Sequence, residues 1–371
     1  MRHGYTTGAC AAAAAKGAAL MLRDRRPVEE TEIVLPGGER PRFRLHGQEF
    51  TDDSAACFVV KDAGDDPDVT NGAEVHARVS LTPPSPPLVK GGCPKGGGVI
   101  IEGGAGIGRV TKPGLAVPVG EWAINPVPRR MIEEAVREIF PVHRSPFTVH
   151  CLLSIPNGTE LARKTLNERL GIVGGLSILG TTGIVRPVSA QAWTDTIDAA
   201  IDVALACGSP TVVLSTGRTS EMVAQAFLGT QDAGRGTGKE LKEEAYVMMG
   251  DHVGHAVRAC AKKGVRSVVV AGQFAKLLKI ACGHEQTHVS SSELDLRTLA
   301  EWLNLEPRTL NLEPLAKRAN TAREVLEASG NDPELIALVC AKARAFAEML
   351  APGVEIKVLL AGYHGEVLYF G

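Results

Sequence analysis

TVVLSTGR, residues 211–218, and SVVVAGQF, residues 267–274, decide the fold. Each is a short run of β-branched and aliphatic residues that reaches a glycine and turns into helix-forming sequence. Neither alternates apolar with polar, so both faces of each strand are covered, as in a parallel sheet. Between them the pattern gives a helix over 221–228, a short strand over 246–249 and a helix over 254–263; a further helix follows over 274–281. Upstream, FTVHCLLSIP (147–156) reads as an apolar strand, with helices over 159–169 and 194–206. Strands alternating with helices predict a doubly wound, Rossmann-like parallel sheet over residues 146–371. Residues 294–350 read as helices broken at Pro307, Pro314 and Pro333, and the tail from Val354 opens with a strand that returns to the same sheet.

The first 145 residues have a different grammar. ACAAAAAKGAALML, within 9–23, reads as an alanine-rich helix capped by Thr6 or Thr7, able to lie flat on a sheet because alanine permits close approach. Short strands follow near 32–35, 42–45, 55–61, 74–81 and 99–102, and a helix over 129–139. One early helix and a run of strands predict an N-terminal α+β domain, so the fold class is α/β in two parts, 1–145 and 146–371. Residues 82–98, rich in proline and glycine without periodicity, read as a mobile insertion.

The bulk properties exclude more than they assign. The chain has 371 residues, 44% apolar and 22% charged, with a net charge of −2. That balance gives no electrostatic argument for nucleic acid or an anionic membrane. The eight cysteines are scattered singly, without a CxxC pair, which fits reduced thiols and a cytoplasmic protein. Lys16 and the RDRR at 23–26 argue against a signal peptide, and no stretch reaches the ~20 apolar residues of a membrane span.

GAGIGRVTKPGLAVPVGEWAINPVPRR, residues 104–130, carries four prolines and five glycines among well-spaced apolar residues. It is irregular backbone with enough apolar surface to pack, and it carries Arg109, Lys112, Asn125, Arg129 and Arg130. Two readings stand side by side: a shaped ligand wall, and a well-packed connecting loop. The segment from Val110 to Ile132 closely resembles the cobalt-precorrin-5B C-1 methyltransferases, the CbiD family of anaerobic cobalamin synthesis. GYTTGACAAAAAKGA (4–18), KDAGDDPDVTNGA (61–73), NERLGIVGGLSILGTTGIVRPVS (167–189) and Thr287-His288 agree with that family in the same order.

The resemblance implies methyl transfer from S-adenosylmethionine to carbon 1 of cobalt-precorrin-5B, giving cobalt-precorrin-6A, with cobalt arriving only as part of the substrate. Other readings are a different corrinoid-modifying enzyme and a non-enzymatic tetrapyrrole carrier. A homo-oligomer is compatible with all three. A donor without phosphates needs glycine-rich strand ends and a carboxylate or amide. Asn157, Gly158 and Glu160 form one candidate set. Gly175, Ser177, Gly180, Thr181 and Thr182 form a second, equally readable as a glycine-rich crossover loop. The strand ends at Ser215–Arg218 and at Gly250-Asp251 open towards the same edge. The anionic rim of a tetrapyrrole calls for arginines and lysines, here Arg109, Lys112, Arg129, Arg130 and Arg186, with Lys276 and Lys279 further along; Thr6, Thr7 and Asn125 complete the substrate set. His288, Asp65 and Asp66 are the candidate catalytic groups. The Asp62–Asp68 turn could equally bind a cation, cap a helix or hold a positive partner; no metal is expected, because the spacing of an EF-hand and its last glutamate are missing.

Two short patterns mislead. HEQTH, 284–288, matches the zinc protease HExxH, but Gly283 sits where the preceding helix should end. VIIEGGAGIG, 99–108, imitates a nucleotide-binding turn, but RVTKPGLAVPVG cannot continue as the helix such a turn requires.

Overall fold

The computed structural model describes residues 1–82, 98–141, 147–234, 241–305 and 310–371. The chain divides into two compact units, Met1–Ser189 and Ala190–Gly371. The expected insertion at 82–98 lies, for residues 83–97, outside the described residues.

The first unit opens with strand β1 (Gly4–Tyr5) and helix α1 (Thr7–Asp24), followed by the strands β2 (Glu30–Glu32), β3 (Arg42–Arg44), β4 (His46–Phe50), β5 (Ser54–Val60), β6 (Glu74–Thr82), β7 (Val99–Gly103) and β8 (Arg109–Val110). Helix α2 (Pro126–Ile139), β9 (Thr148–Ser154), the single turn α3 (Gly158–Ala162), β10 (Ile172–Val173) and β11 (Ile184–Val185) complete it. The main sheet runs β4-β5-β6-β9-β7, antiparallel except for the β7–β9 pair. Its inward positions, among them Ala55, Cys57, Val59, Val149, Cys151 and Leu153, meet α1 and α2 in one core. Thr6 caps α1 by accepting the Ala9 N–H at 3.2 Å. The alanines are buried without residual exposure from Ala11 to Ala15, so the helix does lie against the sheet. Lys16 reaches sideways to Glu138 of α2 at 2.7 Å.

This arrangement corrects the expected boundary at 145/146. Strand β9 adds between β6 and β7, so residues 147–189 belong with the N-terminal part. The helix expected over 159–169 is also shorter. After one turn the Thr165 hydroxyl donates to Ala162 O at 2.7 Å and accepts the Asn167 N–H at 3.2 Å, side-chain bonds that compete with helix propagation. Strand β4, HGQEF, was not legible because an edge strand with no apolar alternation carries no period-two signal.

The second unit alternates as expected: α4 (Ala190–Ala206), β12 (Thr211–Ser215), α5 (Arg218–Gly234), β13 (Tyr246–Met248), α6 (Val253–Lys262), β14 (Ser267–Gly272), α7 (Phe274–Ala281), then α8 (Leu296–Leu305), α9 (Glu313–Arg318), α10 (Ala322–Ala328), α11 (Pro333–Leu350), β15 (Glu355–Ala361) and β16 (Val367–Phe370). The sheet order is β13-β12-β14-β15-β16, with only the β15–β16 pair antiparallel. Val212, Leu214, Val268 and Val270 face a large core with α4, α6, α7 and α11. Val213, Val269, Ala271 and Leu359 face α5 on the other side. Two of the three prolines expected to break helices instead begin them: Pro314 lies in the first turn of α9, and Pro333 opens α11 behind the cap Asp332. Pro307 lies outside the described residues.

Candidate active site

In the first unit the 104–130 segment and the 171–183 loop are one interlocked piece of backbone. Gly108 N–H donates to Leu176 O at 2.9 Å, Leu176 N–H to Gly106 O at 2.9 Å, Ile178 N–H to Ala123 O at 2.8 Å and Asn125 N–H to Ile178 O at 2.9 Å. Strands β8 and β10 pair antiparallel. Gly106, Gly158 and Gly175 stack at the centre, where a Cβ on either Gly158 or Gly175 would fall inside the backbone of Gly106. Their missing side chains make room for chain. The expected assignment of these loops to the ends of parallel strands is thereby corrected: the strand before Asn157 is β9, in the first unit's mainly antiparallel sheet. Asn157, just before α3, and Glu160, on it, stand exposed; Ser177 is buried, and Thr181 is exposed. The Thr182 hydroxyl accepts the Ile184 N–H at 3.2 Å, forming a local turn.

Helices α1 and α2 start at this same loop. The Thr7 hydroxyl accepts the Leu179 N–H at 3.0 Å and donates to Ser177 O at 3.3 Å. Gly8 lies against Pro128, and Gly180, at φ 125°, lies against Thr6. Asn125 precedes α2 without capping it by its side chain. Of the expected substrate arginines, Arg130 and Arg186 project into solvent. Arg109 stacks on the Trp122 ring at 3.7 Å and donates to Gly120 O at 2.6 Å. Lys112 lies along Gly171, and Arg129 is directed at Ile101 O at 3.4 Å.

The acidic turn at 61–68 holds the N-terminal segment. Asp65 Oδ2 accepts the Arg2 N–H at 2.6 Å, Asp62 pairs with the Arg2 guanidinium, and Tyr5 N–H donates to Asp62 O at 2.8 Å. Asp66 Oδ1 accepts the Val188 N–H at 2.8 Å. Asp65 and Asp66 therefore each have a backbone N–H to hold. Beneath them Lys61, 1% exposed, pairs with Asp68 at 2.6 Å, a buried pair that sequence reading grouped with the surface acids. Burial alone would raise the Asp68 carboxyl; Lys61 and the Thr70 N–H and hydroxyl outweigh it and hold it below the usual range.

His288 belongs to the second unit, where a polar cluster gathers at the carboxyl ends of the parallel strands. Asp251, just after β13, pairs with Lys276 of α7 and accepts the Thr287 hydroxyl at 2.6 Å. Thr287 is wholly buried, and its carbonyl takes Lys279 Nζ at 3.1 Å; Lys279 also reaches Ser292 O at 2.8 Å. Burial, then repulsion from Lys276, lowers the Lys279 ammonium below its ordinary value. Lys276 and Lys279, candidates in the sequence for meeting a tetrapyrrole's carboxylate rim, thus tie the 287–292 loop in place. Burial would raise the Asp251 carboxyl, but the bonds from Lys276 and Thr287 prevail and keep it low, with a smaller contribution from His288. His288 is exposed, its Nδ1 2.7 Å from Ser290 Oγ. The HEQTH stretch is not helical: α7 ends at Ala281, Gly283 has φ 87°, and Glu285 pairs with Arg258. Asp251 was legible only as a strand end; its link to Thr287 spans 36 residues and has no local signature.

In comparison with known proteins, the first family match ends close to the end of the first unit, and the second lies inside the second unit. The CbiD family model matches residues 1–187, and the model of the CbiD C-terminal domain matches residues 286–370. The chain is 68% identical to the cobalt-precorrin-5B C(1)-methyltransferase of Geobacter metallireducens, over 100% of this chain and 99% of that protein. It is 64% identical to the protein of the same name from Geotalea daltonii, over 100% and 99% respectively. A crystal structure of the cobalamin biosynthesis protein CbiD from Archaeoglobus fulgidus matches at 26% identity, covering 77% of this chain and 81% of that one, with a TM-score of 0.39. With both parts of the chain matched by the family's models and full-length relatives at this identity, the chain belongs to the CbiD family.

Proposed function

We propose that this chain is a C-methyltransferase that methylates carbon 1 of cobalt-precorrin-5B, with S-adenosylmethionine as donor. The observation that carries the reading is the 68% identity, end to end, with a protein of that name. The donor supplies an electrophilic methyl on sulfur. The new bond forms from carbon 1 to that methyl carbon, the carbon–sulfur bond breaks, and its electron pair leaves on S-adenosylhomocysteine. Such a displacement asks the protein to hold the two reactants at attack distance and to keep water out.

The tetrapyrrole brings a rim of carboxylates. Arg130 and Arg186, exposed in the first unit, are the residues we assign to meet it, with Asn125 and Thr181 as neutral hydrogen-bonding partners. Arg109 and Lys112 are committed to shaping the 104–130 segment. The test is conversion: purified chain, cobalt-precorrin-5B and donor should give a product heavier by one methyl group, located at carbon 1. Methylation elsewhere, or none with active substrate, would sink the assignment.

A further inference from the structure

The second unit's sheet has a topological switch point. From β12 the chain goes to one side, to β13, and then returns to the other side of β12, to β14. The connection after β12 leads into α5, which packs with Val223, Ala224 and Leu228 on one face of the sheet. The connection after β14 leads into α7, which packs with Phe274, Leu277 and Leu278 on the opposite face. Two connections leaving in opposite directions open a crevice at the carboxyl ends of adjacent parallel strands, where open α/β sheets receive small ligands.

The residues at that crevice suit a nucleoside. Thr216 and Gly217 follow β12, and Gly272 ends β14; Thr216 N–H donates to Ala271 O at 3.0 Å, fixing the two ends together. A Cβ on Gly217 would meet nothing within 4 Å, so the backbone there faces open space. Ser215, last residue of β12, is 0% exposed, and its hydroxyl has no partner among the described residues. An orphaned buried hydroxyl is costly, and a ligand at the crevice would relieve it. Asp251 closes the side towards β13. Both its bonds, from Lys276 and Thr287, end on Oδ1, and Oδ2 accepts none from the described residues. An ionised carboxylate at the end of the neighbouring strand is the group that takes ribose hydroxyls or an ammonium.

We propose that the methyl donor's adenosine moiety binds at this switch point in the second unit, against Ser215, Thr216, Gly217 and Gly272, with Asp251 Oδ2 taking its ribose or its amino group. The proposal rests on the methyltransferase reading and adds the place of the donor: among the strand ends that the sequence offered, those at Ser215–Arg218 and Gly250-Asp251 rather than the residues at 157–182.

The experiment is calorimetric titration of the full chain with S-adenosylhomocysteine. Gly217→Val fills the open space without strain, since Gly217 is not in the left-handed region, and Asp251→Asn keeps shape while removing charge. Both should weaken binding by about tenfold or more, with circular dichroism matching wild type. If Gly217→Val destabilised the fold, Asp251→Asn would decide alone. Wild-type affinity in the folded variants overturns the site, as does loss of binding in Asn157→Ala with Gly217→Val unaffected. If the wild-type chain bound no S-adenosylhomocysteine, the donor in the methyltransferase reading would fall, and this site with it.

Discussion

Replacing Asp68 by asparagine should destabilise the first unit by about 3 kcal/mol, because it strands a buried ammonium. Lys61 Nζ lies 2.6 Å from Asp68 Oδ2, with the lysine side chain 1% exposed. Asparagine preserves the shape and still accepts from Thr70, whose N–H and hydroxyl reach Oδ1 at 2.8 and 2.7 Å. What it removes is the countercharge. Breaking a buried pair by losing one partner costs about 3–5 kcal/mol. Asp68 keeps 24% of its side chain exposed, so water reaches the site and the lower end applies. At roughly 2–4 °C per kcal/mol for a unit of this size, Tm should drop by about 6–12 °C, read by calorimetry at pH 7. The acid limb gives a second reading. Asp68 is held below its ordinary value, so the wild-type pair stabilises above the unfolded carboxylate's pKa of about 3.9 and that contribution is lost as pH falls through the folded value. The gap between wild type and variant should therefore close towards about pH 2. Lys61→Met combined with Asp68→Asn should recover much of the loss, since an apolar replacement of the pair is often neutral. A Tm within about 2 °C of wild type for Asp68→Asn at pH 7 would refute the account of a desolvated pair.

Three further outcomes are expected. Gly175→Ala, whose Cβ would enter the Gly106 backbone, should cost at least about 2 kcal/mol, whereas Gly229→Ala inside α5, where the new Cβ meets nothing within 4 Å, should stabilise by about 0.5–1 kcal/mol; denaturant melts of the two give opposite signs or the packing argument fails. Burial pushes the thiols of Cys10, Cys57, Cys151, Cys260 and Cys340 up to about 12, so native protein treated with iodoacetamide at pH 8 should leave these five unlabelled by peptide mapping, and rapid labelling of any of them would contradict their burial. Arg130→Ala or Arg186→Ala should raise the KM for the tetrapyrrole by about tenfold with kcat nearly unchanged, the mark of lost binding to a carboxylate rim; an unchanged KM would remove that arginine from the substrate face.

What the sequence showed and what it hid divide along one physical line. The second unit's strands were legible because burial on both faces writes an unbroken apolar run, as in Val268–Val270, and because glycine closes each run where the chain must turn. The Thr6 cap and the end of α7 at Gly283 were legible for the same reason: each is decided by residues within a few positions. The boundary between units was hidden because it depends on where β9 pairs. TVHCLLS has the composition of a parallel-sheet strand, and only its long-range hydrogen bonds to β6 and β7 place it in the other sheet. The site was half hidden likewise: the strand ends at Ser215–Arg218 and Gly250-Asp251 could be read, but not which glycine leaves room for a ligand. Glycines 158 and 175 carry the same letter as a ligand-binding glycine, yet here a second strand of backbone fills the space, while Gly217 leaves it open. Asp65 and Asp66 looked like free acids until Arg2 and Val188 took their oxygens. Asp251, one acid at a strand end, has an oxygen to spare because Lys276 and Thr287 both bind the other one. Residue type sets what a group can do; which of its atoms remain unspent is decided by contacts that the sequence alone does not display.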